Sequence, residues 1–160
     1  MKNLLEYITE KMVFNSKNTN NKLREIDLTS LSSTHDNIIL KYIKDFGILS
    51  PAKQESHYNK MKQYQDKGSS PKRLANSIKD KSKLIYRWYT AVQNGWIDCA
   101  AIFRDEIIDR NYCTENEIDG AILYEYNKLN SANRKYLASR LQNFSDYLTE
   151  IGVKHDEYVK

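Results

Sequence analysis

IKDKSKLIYRWYTAVQNGWIDCAAIF, residues 78–103, is the densest aromatic and aliphatic stretch of the 160-residue chain and holds both of its tryptophans. Ile78, Ile85, Tyr89 and Val92 recur at steps of seven, four and three, with Trp88 one position off the same stripe. A helix with this spacing buries one side. The run stops at Asn94-Gly95, where a glycine just past the last periodic residue can take the left-handed conformation that closes a helix. Trp96, Ala100, Phe103 and Ile107 then begin a second stripe. The stretch therefore predicts a helical hairpin with one tryptophan on each side of its turn, and the core is expected to form around it.

Toward the carboxyl terminus, Thr114 and Glu117 are spaced as a capping box for a helix showing Ile118, Ile122 and Tyr126 and ending near Leu129-Asn130. A last helix is expected over about Ser131 to Ile151, with Leu137, Leu141, Phe144, Leu148 and Ile151 as its buried face and Gly152 as its stop. The final eight residues, VKHDEYVK, are expected to fray.

Toward the amino terminus, Ser50-Pro51 and Ser70-Pro71 repeat one helix-start signal: serine accepts from an otherwise unbonded N–H, and proline lacks only a hydrogen that would have no partner. The first of these helices, Pro51 to Lys67, has only Tyr58, Met61 and Tyr64 to bury. The second either runs into the hairpin or breaks near Asp80. A helix over about His35 to Phe46, capped by Ser32, Ser33 or Thr34 and stopped by Gly47, precedes them. Before it lie a short strand or extended lead-in over 24–31, an asparagine-rich loop over Asn15 to Lys22, and a first helix over Met1 to Phe14.

The resulting expectation is an all-α, irregular bundle of about six or seven helices, with Trp88, Trp96, Phe103, Leu141, Phe144 and Leu148 in the core. Five glycines and two prolines argue against a turn-rich β fold. The length suits a single domain over 1–160, with a subdivision into 1–68 and a main core 69–160 as the alternative. No apolar run reaches the ~18 residues of a membrane span, and Glu6 and Glu10 interrupt the amino-terminal stretch, so no membrane partner and a cytoplasmic location in a bacterial host cell are expected. Cys99 and Cys113 read as reduced thiols.

Charge is more informative than composition. Residues 51–90 hold ten Lys/Arg against three Asp/Glu, a balance of +7, and residues 91–127 hold two against eight, a balance of −6. Such asymmetry speaks about partners. In the basic segment, Lys60, Lys62, Lys72, Arg73, Lys79, Lys81, Lys83 and Arg87 alternate with tyrosines, a pattern suited to a nucleic-acid backbone and its bases. Lysine predominates, which favours diffuse phosphate contact over bidentate reading of guanine. In the acidic segment, Asp105, Glu106 and Asp109 form a carboxylate row that imitates phosphates and would dock on a protein with a basic groove. The bland readings are a solvated face for the first, a salt-bridged surface with Arg104 and Arg110 for the second, and mutual neutralisation of the two segments.

A helix-turn-helix is a further candidate, since the helix His35 to Phe46, the turn 47–50 and the helix from Pro51 have the right order. Against it, the second helix has no apolar anchor before Tyr58, and Ile43 is bulky where a small residue is wanted. No metal or cofactor is expected: Asp105 and Asp109 share a face without histidine support, and His35, His57 and His155 share no ligand spacing. No nucleophile elbow or glycine-rich phosphate loop occurs, so the expectation is a non-catalytic binding protein and not an enzyme.

In size, in its polar composition typical of an A+T-rich gene and in its lack of motifs, the chain is similar in style to small proteins of phages and other mobile elements. These include transcriptional regulators and inhibitors of host nucleases such as anti-CRISPR proteins. The similarity carries no site residues. What it implies is a partner that is nucleic acid or a nucleoprotein complex, reached either through the basic surface or, as an anti-CRISPR-like or anti-restriction-like inhibitor, through the acidic one.

Overall fold

The computed structural model describes residues 23–28, 37–68, 70–132 and 135–155. Seven α-helices occur among them: α1 Ile38–Gly47, α2 Pro51–Lys67, α3 Pro71–Ser77, α4 Lys81–Gln93, α5 Ile97–Asp109, α6 Glu115–Ser131 and α7 Ala138–Glu150, the last preceded by a 3-10 turn at Lys135–Leu137. No strand is present among the described residues, so the fold is an all-α bundle. The helix expected over Met1 to Phe14, the loop over Asn15 to Lys22 and the caps Ser32 to Thr34 lie outside the described residues.

α4 and α5 form the expected hairpin and make the centre of the molecule. Gly95 takes φ +73° between them. α4 buries eight of its thirteen residues, Trp88 and Leu84 without any exposure. α1, α2 and α7 all pack on it, α3 packs along α5, and α6 pairs with α7. Ile39, Ile43 and Phe46 of α1 and Met61 of α2 belong to the same core as Phe103, Ile122, Phe144 and Leu148, so chain from both sides of position 69 contributes to it. Trp88 Nε1 donates to Tyr147 Oη at 3.2 Å across this core, which gives both buried polar tips a partner.

Local chemistry explains most boundaries. The Ser50 and Ser70 hydroxyls accept from Lys53 N and Arg73 N. Thr114 and Glu117 exchange side-chain and backbone bonds as a capping box. The α3–α4 break falls at residues 78–80, with the Asp80 carboxylate accepting from Lys83 N at 2.7 Å. Ile78, read as the first residue of the α4 stripe, is in that connection, yet it remains buried.

Several expectations are corrected. The α1 cap is Asn37, whose Oδ1 accepts from Ile39 N and Leu40 N while its Nδ2 donates to Glu117 O of α6. Trp96 is only half-buried, because it is the N-cap residue of α5 at the edge of the turn, tilted against Tyr58 with ring centroids 5.6 Å apart. Leu141 is also half-buried. The last helix begins at Ala138 and not near Ser131, since α6 runs on to Ser131; Tyr136 is 80% exposed in the connection. The short strand over 24–31 is reduced, within 23–28, to one parallel bridge between Arg24 and Val153, with residues 29–31 outside the described set. That bridge also corrects the expectation of fraying: Val153 and His155 are buried. His155 Nδ1 can only donate to Val153 O at 2.9 Å, which leaves Nε2 to accept from Ser145 Oγ at 2.8 Å. Residues 156–160 lie outside the described set.

Candidate nucleic-acid interface

Four of the carboxylates in the acidic segment are paired with arginines outside the basic segment. Asp119 has no exposure, and Arg104 holds it through Nε at 2.7 Å and Nη2 at 2.8 Å, while Arg24 Nη2 adds a third bond at 2.6 Å. Arg104 also pairs with Asp105 at 2.9 Å and Glu115 at 2.6 Å. Burial opposes the Arg104 charge, but the hydrogen bond and charge of Asp119 outweigh it and raise its pKa. Glu106 pairs with Arg110 at 2.8 Å, and the remaining Arg110 nitrogens donate to Ala75 O and Ile78 O at the end of α3. Of the carboxylate row expected to imitate phosphates, Asp105 and Glu106 are thus engaged by arginines of their own helix, and Asp109 is exposed at the end of α5.

The basic segment is arranged differently. Lys60, Lys72, Arg73, Lys79 and Lys83 are exposed. Lys62 pairs with Asp66 one turn on, at 2.9 Å. Lys81 is half-buried with its ammonium 5.1 Å from the centre of the Tyr112 ring and 5.8 Å from that of Tyr42. Among the described residues, no ion pair joins the segment 51–90 to the segment 91–127.

Arg87 departs from the other seven. It is 7% exposed, between α4 and α2, and its Nε donates to His57 Nδ1 at 3.2 Å. Among the described residues, no carboxylate pairs with it. Burial lowers its pKa, with the nearby Tyr64 hydroxyl acting in the opposite direction. The His57 pKa is also lowered, first by burial and then by the positive charges of Arg87 and Lys83. Since Nδ1 accepts from Arg87, His57 is neutral with its proton on Nε2. Arg87 lies three positions from the buried Leu84 and four from the buried Ala91 on α4, and this helix register is the sequence signal that could have shown it facing inward.

Where these cations sit along their helices matters as well. Lys53 is in the first turn of α2, Lys72 and Arg73 in that of α3, and Lys81 and Lys83 in that of α4, and none of the three first turns contains an acidic residue. The amino-terminal end of a helix carries partial positive charge, so cations there cost stability and reinforce a positive field.

The helices of the expected helix-turn-helix, α1 and α2, both pack mainly on α4. α2 buries only Met61. Cys99 and Cys113 are free thiols whose pKa values burial pushes up to about 12. No group of three or more metal-ligating side chains occurs among the described residues. No helix among them is long and apolar enough to cross a membrane.

One cationic cluster had no sequence signature. Lys41 and Lys44 of α1, Lys128 of α6 and Arg140 of α7 line one cleft, although they come from parts of the chain up to 99 positions apart. In comparisons with known proteins, the chain matches no protein-family model, no curated protein and no solved structure.

Proposed function

We propose that the protein is a non-catalytic binding protein that acts in a nucleic-acid setting, holding phosphate backbone against the exposed cations at the starts of α3 and α4 and along α2. The contact residues are Lys60, Lys72, Arg73, Lys79 and Lys83, with Lys62 and Lys81 at the margin and Arg87 behind them. One observation carries this reading. Asp105, Glu106, Glu115 and Asp119 of the acidic segment are taken up by Arg24, Arg104 and Arg110 and not by lysines of 51–90, so the exposed cations of the basic segment keep their charge for a partner. Their position in helix first turns supports it further, because a solubility face has no reason to place positive charge where it opposes the helix dipole. The cytoplasm of a bacterial cell and an origin in a phage or mobile element fit this reading through composition alone.

The test is fluorescence anisotropy with labelled single- and double-stranded oligonucleotides across a salt series. Replacing Lys72, Arg73, Lys79 and Lys83 by glutamine should weaken binding uniformly across sequences and flatten the log–log salt slope by up to ~3 to 4 units. An unchanged slope, or an unmodified protein that binds no oligonucleotide, removes the proposal. The inhibitor reading would then be tested by D105K, E106K and D109K together against a protein partner with a basic groove.

A further inference from the structure

An open cleft of about 810 Å³ lies between α1, α4, α6 and α7, and none of its lining residues is in the first turn of α3 or α4. Its volume falls in the range of small-molecule sites. Its rim is cationic: Lys41 and Lys44 stand one turn apart on α1, Lys128 lies on α6 and Arg140 on α7, against the single carboxylate Glu125. Its wall is half polar and half apolar: Phe46 and Tyr89, set edge-on at a centroid distance of 5.5 Å, show the cleft only their margins, and Tyr124 is half-buried beside Glu125.

The cations are not consumed by the fold. Among the described residues, Lys41, Lys44, Lys128 and Arg140 have no ion-pair partner, although Lys128 and Arg140 are near enough to Glu125 to favour its charged form. Burial acts on Glu125 more strongly and raises its pKa. Four cations converging on a partly enclosed space from three helices repel one another and keep long side chains without a bond, an arrangement that an anion would reverse.

We infer that this cleft binds a nucleoside diphosphate or triphosphate: its phosphates between Lys41, Lys44, Lys128 and Arg140, and its base against the half-buried Tyr124 ring and the margins of Phe46 and Tyr89. Four cations around one space match two or three phosphates better than one. The Tyr124 ring offers a planar base a contact that an inorganic anion would not use. Glu125, with the amide oxygens of Gln54 and Gln93, supplies acceptors for ribose hydroxyls or a base amino group. The site is independent of the phosphate-backbone face, since they share no residue.

The experiment is isothermal titration of the full chain at low salt with ADP, adenosine and inorganic pyrophosphate in separate runs. ADP should bind at least about tenfold more tightly than either adenosine or pyrophosphate, because each of those keeps only half of the recognised chemistry. K44Q with R140Q, checked by circular dichroism for an unchanged fold, should weaken ADP at least about tenfold through the loss of two charge-assisted contacts. The glutamine variant of the α3–α4 face should leave ADP affinity within about twofold, which separates this site from the proposed nucleic-acid surface. No ADP binding at millimolar concentration, pyrophosphate binding as tightly as ADP, or an unaffected K44Q/R140Q protein each overturns the inference.

Discussion

Arg104 of α5 and Asp119 of α6 face each other in a two-pronged pair, Nε to Oδ1 at 2.7 Å and Nη2 to Oδ2 at 2.8 Å, inside the core and with no exposure at the carboxylate. Arg24, from the segment ahead of α1, bonds the same carboxylate and also donates to Ile151 O at 2.9 Å. One buried charge thus ties the amino-terminal segment, the α5–α6 pair and the end of α7 together.

Removing that charge exposes what it balances. Asp119→Ala leaves the buried Arg104 and the partly exposed Arg24 without their shared counter-charge, and unfolding in urea should show a loss of ~3 to 5 kcal/mol. Asp119→Asn keeps the shape but not the charge and should lose less. A loss below ~1 kcal/mol for the alanine variant would mean that water reaches Arg104.

Phe144 is 1% exposed on α7 and packs beside Tyr89, with ring centroids 6.4 Å apart. Phe144→Ala should destabilise by ~3 to 5 kcal/mol, as expected for a large cavity in a core that cannot collapse fully. Tyr136→Ala, at an exposed position, should change stability by less than ~0.5 kcal/mol.

Acid should weaken the fold through His57. Its folded pKa is lowered from the ordinary histidine value near 6.5, so below about pH 6.5 the unfolded chain takes up a proton that the folded chain resists. Stability therefore falls as pH drops from there through the folded pKa, as Arg87 loses its acceptor. Thermal melts should show a steeper decline in midpoint over pH 6.5 to 5 for the wild type than for His57→Gln, which keeps an acceptor and does not titrate. Equal slopes would show that Arg87 and Lys83 do not press on the ring.

Gly95 has two reasons to remain glycine. Its φ of +73° disfavours a side chain, and a Cβ there would stand 2.6 Å from Asn143 Oδ1. Asn143 cannot simply swing away, because its Nδ2 donates to Gln93 O at 2.7 Å and so anchors α7 to the end of α4. Gly95→Ala should cost more than ~1 kcal/mol. Pairing it with Asn143→Ala should relieve the clash but not the backbone strain, giving a double-mutant cycle with a clear coupling energy.

The local grammar of the chain was legible from short-range patterns. Serine before proline at 50 and 70, the Thr114–Glu117 box, the Asn94-Gly95 turn and the period of Phe144 and Leu148 depend on residues within a turn or two of one another, and helix formation reads them directly. Trp96 was harder to place, since periodicity assigns a face but not a distance from the end of a hairpin, and there the core is thin.

Charge partnership belonged to the tertiary structure alone. A run of carboxylates at 98–119 reads the same whether solvated, paired with lysines 30 positions earlier or held by arginines; only the tertiary placement of Arg104 against α6, with Arg24 brought in by the bridge to Val153, selects arginines for Asp105, Glu115 and Asp119. Arg104 was read as part of a salt-bridged surface, whereas Arg104, beside Phe103 and Ile107, and Asp119, beside Ile118 and Ile122, are buried. The cleft of Lys41, Lys44, Lys128 and Arg140 had no trace in the sequence, because its cations come from three helices distant in sequence. Sequence determines each helix and the face it buries through contacts three and four residues apart; which charges meet is decided by how those faces stack, a long-range arrangement that no local pattern encodes.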